Sequence, residues 1–310
     1  MEKNTDVIVI GAGGGGAVVA KELGEKGIKV LLLEAGTWYG NKKWPNPLQE
    51  QGSVSSNTFE DLSDEILHKC FTSYEGDIND NISGKFRWGS ANRRKPAWFR
   101  RLPQGGFAWQ SSSVGGSTLL YFGNCPRAFP ASINDTWPIS YKELLPYYEK
   151  VEATLPVSPA PMTDKEELFF YGAKKAGWSV LKTNDPINPG YRPQPNAILP
   201  PDPNINNPNF KFEYSTKGCT LCGHCINGCS IGPSVEKVAK RSTLVSYIPL
   251  ALKTHNVEIM PNTFVKKIIT EKSTDGNLIS TGVKCKNTWT GEEYELKSKV
   301  IVMAAGPIES

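Results

Sequence analysis

Apolar positions near the amino terminus come as two short runs, Val7 to Ile10 and Ile28 to Leu33 (with Lys29 inside the second), with a helix-suited stretch, Ala17 to Lys26, between them. Apolar runs of this length fit parallel strands buried on both faces. Toward the other end the pattern changes. Val257 to Met260 and Phe264 to Ile269 read as short strands, and Ser280 to Lys286 with Glu293 to Lys297 as a small antiparallel sheet turning at Thr290-Gly291. Lys299 to Gly306 is a further buried strand that ends on small residues. Helices fall between these groups. Ser140 is a good N-cap for a stretch through Leu145, where Pro146 must interrupt or restart the helix before a second one, Tyr147 to Leu155. Thr163-Asp164-Lys165-Glu166 is a capping box opening a helix to about Lys175, and Lys240 to Thr243 leads into a helix from Leu244 to Lys253 with an irregularity expected at Pro249. Two stretches show no period: the roughly sixty residues after Gly36, and Thr183 to Phe210, whose eight prolines exclude a regular helix.

The first run ends directly on Gly11-x-Gly13-x-x-Gly16, and the second closes on Glu34-Ala35-Gly36. Each position has a physical task in holding a dinucleotide. Gly11 permits the tight turn, Gly13 and Gly14 let backbone approach a pyrophosphate, and Gly16 lets helix and strand pack closely. The phosphates then meet the free N–H groups and positive end of the helix. Glu34, twenty-three residues after Gly11, is placed to accept hydrogen bonds from a ribose. Strand, glycines, helix, strand and acid in this order point to a dinucleotide site. They do not separate NAD from FAD, although the acid disfavours a 2′-phosphate.

Length and composition narrow the class. A chain of 310 residues with 39% hydrophobic content can bury a large core and more than one domain. A net charge of +4 calls for neither nucleic acid nor an acidic membrane as partner. With the first strand starting at about the fifth residue there is no room for a signal peptide, and no run of 18 apolar residues predicts a spanning helix. These observations predict a cytoplasmic protein, the alternative being export together with a signal-bearing partner.

Of seven cysteines, four lie within eleven residues: Cys219, Cys222, Cys225 and Cys229, spaced C-x2-C-x2-C-x3-C. That is the spacing of a ferredoxin cluster loop, although Ser230 stands where ferredoxins carry proline. An iron–sulfur cluster, a zinc ion and plain structural thiols are all compatible with it. Arg93, Arg94, Lys95, Arg100 and Arg101 surround Trp98 and form either a solvated face or a contact for cofactor phosphates or a partner. Gly115-Gly116-Ser117, running on to Gly123, can lie flat against a ring with its N–H groups exposed.

The opening unit, the Gly115-Gly116-Ser117 loop, and Trp137-x-x-Ser140-Tyr141-x-Glu143-Leu144-Leu145-Pro146-Tyr147-Tyr148 with Glu152 together resemble the glucose-methanol-choline (GMC) oxidoreductases, which use FAD to oxidise alcohols and sugars. The resemblance covers most of the chain. It implies an α/β fold, a Rossmann-like FAD-binding domain with a mixed sheet and an interleaved, incomplete substrate domain. Residues 1–150 would form the first part of the FAD-binding domain, with an irregular insert at about 41–100. Residues 151–215 would form a substrate-domain segment, and 216–310 the Cys-rich loop and the second part of the FAD-binding domain. The loop from Val114 to Gly123 would lie along the flavin, Val265 against the adenine, and Ala305 and Gly306 where small side chains admit the cofactor. Sugar-dehydrogenase members hold an iron–sulfur cluster in a comparable Cys-rich segment, while cholesterol-oxidase-like members carry such a stretch without an established cluster.

The family's catalytic base is a histidine near the C-terminal end, accompanied by a second histidine or an asparagine. His68, His224 and His255 match neither position, so the base is expected beyond Ser310 and the chain reads as an amino-terminal fragment. The implied reaction is oxidation of a CH–OH group by hydride transfer to flavin N5, as an oxidase or a dehydrogenase. Its partners would be a small alcohol or sugar and an electron-accepting subunit. An NAD-dependent dehydrogenase and an iron–sulfur electron-transfer subunit are the competing readings.

Overall fold

The structure is a computed structural model that describes residues 5–38, 93, 97–160, 163–178, 195–200, 219, 225 and 239–310. It divides into two compact units. The first takes in residues 1–121, 223–238 and 242–310, the second 122–222 and 239–241.

The first unit is built on a parallel sheet. Strands β1 (Val7–Ile10), β2 (Val30–Leu33), β7 (Val257–Met260) and β11 (Val300–Met303) stand in the order β11-β1-β2-β7. Val7 pairs with both Val30 and Val300, and Val30 with Val257. Ile8, Val9, Leu32 and Leu33 are wholly buried, which is why β1 and β2 read as unbroken apolar runs rather than alternating ones. Burying each such side chain contributes roughly 1.5–3 kcal/mol. Helix α1 (Gly14–Glu25) crosses between β1 and β2. It lies so close to its neighbours that a Cβ at Gly24 would stand 2.7 Å from the Val257 side chain. Its buried Lys21 keeps its charge satisfied by Glu22 at 2.9 Å and Glu25 at 2.8 Å.

An antiparallel sheet in the order β10-β9-β8 completes this unit's core, formed by β8 (Thr263–Lys272), β9 (Leu278–Asn287) and β10 (Glu293–Lys297). Val283, Cys285 and Leu296 from it join Ile8, Leu31, Leu33 and Met260 in one apolar cluster. Among the described residues, the parallel strands β11-β1-β2-β7 and the antiparallel strands β10-β9-β8 stand in separate sheets rather than in the one mixed sheet expected from the sequence. Burial pushes the Cys285 thiol up to about 12, so it is a packing residue. The hairpin of β3 (Ala97–Arg101) and β4 (Phe107–Ser111) also belongs to this unit.

The second unit holds helices α2 (Pro130–Thr136), α3 (Tyr141–Thr154) and α4 (Asp164–Lys175), and the short pair β5 (Ser158–Pro159) with β6 (Pro195–Asn196). The expectation that Pro146 ends one helix and starts another is corrected here: α3 runs straight through it. Proline removes only the bond to the Lys142 carbonyl, and Lys142 is exposed, so water can satisfy that group. Helix α5 (Tyr247–Lys253), in the first unit, corrects a second expectation. The break falls at Ser246 (φ −130°, ψ −78°), between a 3-10 turn over Thr243–Val245 and the helix. Pro249 sits in the first turn of α5, where its missing N–H would have had no helical partner.

Candidate dinucleotide-binding site

At the carboxyl ends of β1, β2 and β11 the first unit encloses a cavity of about 770 Å³. Ligands of open α/β sheets bind in this position, because the helix that follows each strand presents its amino end there. The turn from β1 into α1 is tight for reasons the packing makes explicit. Gly11 has φ +98°, and a Cβ on it would stand 2.5 Å from the Ala304 carbonyl oxygen. A Cβ on Gly16 would stand 1.8 Å from the Gly11 oxygen. Gly13 and Gly14 differ, since their nearest neighbours would be 3.7 Å and 3.6 Å away, on Gly116 and Thr118. These two have room on the protein side and border the cavity. Helix α1 has no side-chain cap and no acid in its first turn, so its leading N–H groups and positive end are left for an anion.

Glu34 ends β2 almost buried, at 7% exposure. Its Oε2 accepts the Ala12 N–H at 2.9 Å, and its Oε1 accepts the Gly36 N–H at 2.8 Å and the Ser112 hydroxyl at 3.4 Å. Burial pushes its pKa up, against the pull of these donors. Glu34 also lines the cavity, at the strand end where a dinucleotide's ribose is expected. Gly36 is required by the protein itself, since a Cβ there would stand 1.9 Å from the Ser112 oxygen. Behind this corner, the Thr37 hydroxyl donates to Asn262 Oδ1 at 2.9 Å and accepts from Trp289 Nε1 at 3.2 Å, and Asn262 holds φ +56°. The β2 end and the β7–β8 turn are therefore locked together.

The loop after β4 forms the opposite wall. Gly115 (φ +104°) donates its N–H to the Ala12 carbonyl at 2.9 Å, and Gly116 (φ +55°) comes so close that its Cβ would stand 2.6 Å from Gly13 Cα. Gly116 starts a 3-10 turn through Leu119 that brings Ser117 and Thr118 to the cavity. From β8, Phe264 and Val265 line the cavity with Lys266 and Lys267 at a bulge. Arg93 also lines it, lying 3.8 Å over the Phe264 ring and 3.1 Å from Glu309.

Of the residues singled out in the sequence, Gly11, Gly13, Gly14, Glu34, Ala35, Gly116, Ser117, Val265, Ala305 and Gly306 line this one cavity. Gly16, Gly36 and Gly115 support it from behind. Gly123 lies elsewhere, in the second unit, with its carbonyl accepting the Ala197 N–H at 2.7 Å. Thr118, within the Val114–Gly123 loop, lines the cavity too, whereas sequence reasoning missed Gln110, Ser111 and Ser112. Gln110 Oε1 and Ser111 Oγ are buried in the cavity wall without a hydrogen-bond partner, as expected where a polar ligand supplies the missing groups. Their one sequence signal was a polar run leading straight into the paired glycines. The glycine cradle and these two orphaned atoms fit a bulky dinucleotide.

Of the cysteine cluster, Cys219 and Cys225 are half-buried, and Cys219 donates its N–H to the Leu199 carbonyl at 3.0 Å. Cys222 and Cys229 lie outside the described residues, as do Cys70, Arg94, Lys95, His68 and His224. Among the described residues no three His, Cys, Asp or Glu side chains gather as a metal site. None of their helices is long and apolar enough to cross a membrane.

Two family models match the chain. One, described as FAD binding domain, covers residues 4–43, and the other, described as GMC oxidoreductase, covers residues 205–310. The 2-methyl-1,2-propanediol dehydrogenase of Mycolicibacterium austroafricanum is 31% identical over 166 residues, which are 50% of this chain and 25% of that protein. The cholesterol oxidase of Mycobacterium tuberculosis is 24% identical over 314 residues, covering 99% of this chain and 46% of that protein. A solved formate oxidase of Aspergillus oryzae shares the fold with a TM-score of 0.55 at 14% identity, over 99% of this chain and 46% of that one. The chain thus spans less than half the length of these relatives.

Proposed function

We propose, for a chain that belongs to the GMC oxidoreductases, that it forms the FAD-holding half of an enzyme oxidising a CH–OH group of a small alcohol or sugar. The observation that carries this reading is the single cavity into which the Gly11–Gly16 turn, Glu34, the Gly116–Thr118 loop and the Ala304–Gly306 strand end all open. FAD, when bound, supplies the redox chemistry by accepting a hydride from the alcohol carbon.

The chain's own residues bind and orient. Gly13, Gly14 and the leading N–H groups of α1 take the pyrophosphate. Glu34 takes a ribose hydroxyl, and the Ala12 and Gly36 N–H groups hold its carboxylate in place. Phe264 and Val265 supply a flat apolar wall for the adenine, and Gly116 to Thr118 border the flavin ring. Gln110 Oε1, an acceptor without a partner, takes a donor from the ligand's polar edge. No histidine among the described residues lines the cavity, so the base that takes the proton of the substrate hydroxyl is assigned to none of them.

The spacing of Cys219, Cys222, Cys225 and Cys229 supports a second redox centre, an iron–sulfur cluster passing electrons from FAD to an acceptor subunit. Iron and acid-labile sulfide assays decide it, and their absence leaves the cysteines as structural thiols.

The test of the main reading is to purify the full-length protein, release its chromophore with acid and identify it by chromatography. FAD is expected, or uptake of FAD by colourless protein on titration. A protein that takes up NAD but no flavin would sink the proposal and leave the nicotinamide dehydrogenase in its place.

A further inference from the structure

Two contacts at the cavity fix the plane of the Arg93 guanidinium. Its Cζ lies 3.8 Å from the centre of the Phe264 ring, and its Nη2 donates to Glu309 Oε2 at 3.1 Å. The first distance selects one orientation. A guanidinium standing upright on the ring would carry its nitrogens to within about 3 Å of the ring plane, inside the usual contact distance of about 3.5 Å, so the group lies flat. The bond from Nη2 runs in the guanidinium plane. Phe264 therefore covers one face and Glu309 takes part of the edge, while the second face points away from the ring. Arg93, Phe264 and Glu309 all line the cavity, and the Arg93 side chain keeps 23% of its surface exposed.

Such a surface suits an aromatic base. A guanidinium is planar, delocalised and weakly hydrated, so it stacks on a ring at little desolvation cost. Between Phe264 and a base, its charge would meet the electron-rich faces of two rings. A phosphate is the poorer match. Glu309 already neutralises this cation, and a pyrophosphate has Gly13, Gly14 and the uncapped amino end of α1 to receive it.

We propose that Arg93 is a base-stacking residue whose second face carries the adenine of the dinucleotide, with Phe264 behind it and Glu309 fixing its plane. The proposal rests on the reading above, in which Phe264 and Val265 form the adenine wall, and it adds Arg93 as the outer layer of that wall. Where the guanidinium covers the ring, the base meets Arg93 rather than Phe264.

The experiment uses the full-length protein with isotope-labelled arginine, and ADP, which carries the adenine and both phosphates but no flavin. Bound ADP is expected to move the Arg93 Nε–H resonance upfield, the direction for a proton held over an aromatic ring. Inorganic pyrophosphate, which has no base, is expected to leave it in place. The resonance is identified by its loss in Arg93→Lys, or in Arg93→Gln should the lysine variant not fold. The lysine variant keeps the positive charge beside Phe264 and Glu309 but has no flat face. It should bind ADP about five-fold more weakly, the size of one cation–π contact, with the salt dependence of binding unchanged. A lysine variant that binds ADP as tightly as the unmodified protein, or a downfield shift produced equally by pyrophosphate, would make Arg93 a phosphate contact. An unmoved resonance with ADP bound would take Arg93 out of the site. Each of these results overturns the proposal and leaves the dinucleotide reading standing. If the unmodified protein binds neither ADP nor FAD, that reading falls and this inference falls with it.

Discussion

At the scale of single residues, the cavity wall separates glycines the protein needs from glycines the ligand needs. Gly116 belongs to the first kind, since it holds φ +55° and a Cβ would sit 2.6 Å from Gly13 Cα. Gly116→Ala should cost about 3 kcal/mol, combining left-handed strain with an overpacked backbone contact. Chemical denaturation would measure that loss, with FAD binding lost in parallel. Gly14 belongs to the second kind, because its Cβ would meet nothing nearer than 3.6 Å. Gly14→Ala should leave stability within about 0.5 kcal/mol, as surface changes usually do, while FAD affinity falls. Equal loss of stability in both variants would contradict this division. Glu34 gives a pH test. Its folded pKa is raised by burial, so its contribution to stability is fully present below the unfolded carboxyl value and is lost as pH rises through the raised one. Glu34→Gln should destabilise the ligand-free protein by about 1–3 kcal/mol, because its NH2 must face the Ala12 or Gly36 N–H. It should also remove the decline in stability as pH rises above the ordinary carboxyl range, which thermal melts across a pH series would show.

At the scale of elements, local signals decided what was legible in the sequence. Val7–Ile10 and Val257–Met260 are strands where their apolar residues mark them, Glu293–Lys297 is one where polar and apolar residues alternate, and the Thr163 capping box opens a helix ending at Lys175. Each of these needs only neighbours in the chain. The β3–β4 hairpin was not legible, because Arg100 and Arg101 interrupt its apolar pattern and its turn carries no Asn-Gly or Asp-Gly. Gln110 and Ser111 went unnoticed as site residues for the same reason: what places them at the cavity is contact between the β4 end and Gly36, far off in sequence. Pro146 misled because its cost depends on whether the carbonyl it orphans can reach water, which the sequence does not state. The Ser140 box offers a check on the capping argument. Its hydroxyl accepts the Glu143 N–H at 3.3 Å, and Glu143 Oε2 accepts the Ser140 N–H at 2.8 Å. Ser140→Ala should cost about 1 kcal/mol, seen as faster hydrogen exchange in the first turn of α3 with α4 unchanged.

At the scale of the whole molecule, the two units differ in what a ligand can do for them. Every residue lining the cavity, from Ile10 in β1 to Glu309 beyond β11, belongs to the first unit. Its walls come from segments far apart in sequence: the β1–α1 turn, the end of β2, the β4 loop, β8 and the residues after β11. A dinucleotide filling it would hold all of these at once, and by mass action would stabilise the first unit by about 2.7 kcal/mol at a hundred-fold excess over its dissociation constant. The Arg127–Glu152 ion pair, with contacts of 2.6 and 2.5 Å, and the capped helices α3 and α4 belong to the second unit, and none of their residues lines the cavity. Hydrogen exchange of the full-length protein with and without FAD should therefore slow in β1, α1, the Gly116–Leu119 turn and β8. It should stay unchanged in α3 and α4. ADP, which lacks the flavin, should slow β1, α1 and β8 but leave the Gly116–Leu119 turn exchanging as in the free protein. Protection of that turn by ADP would move the flavin end of the cavity away from Thr118, and slowing of α3 by either ligand would mean that the second unit also takes part in binding.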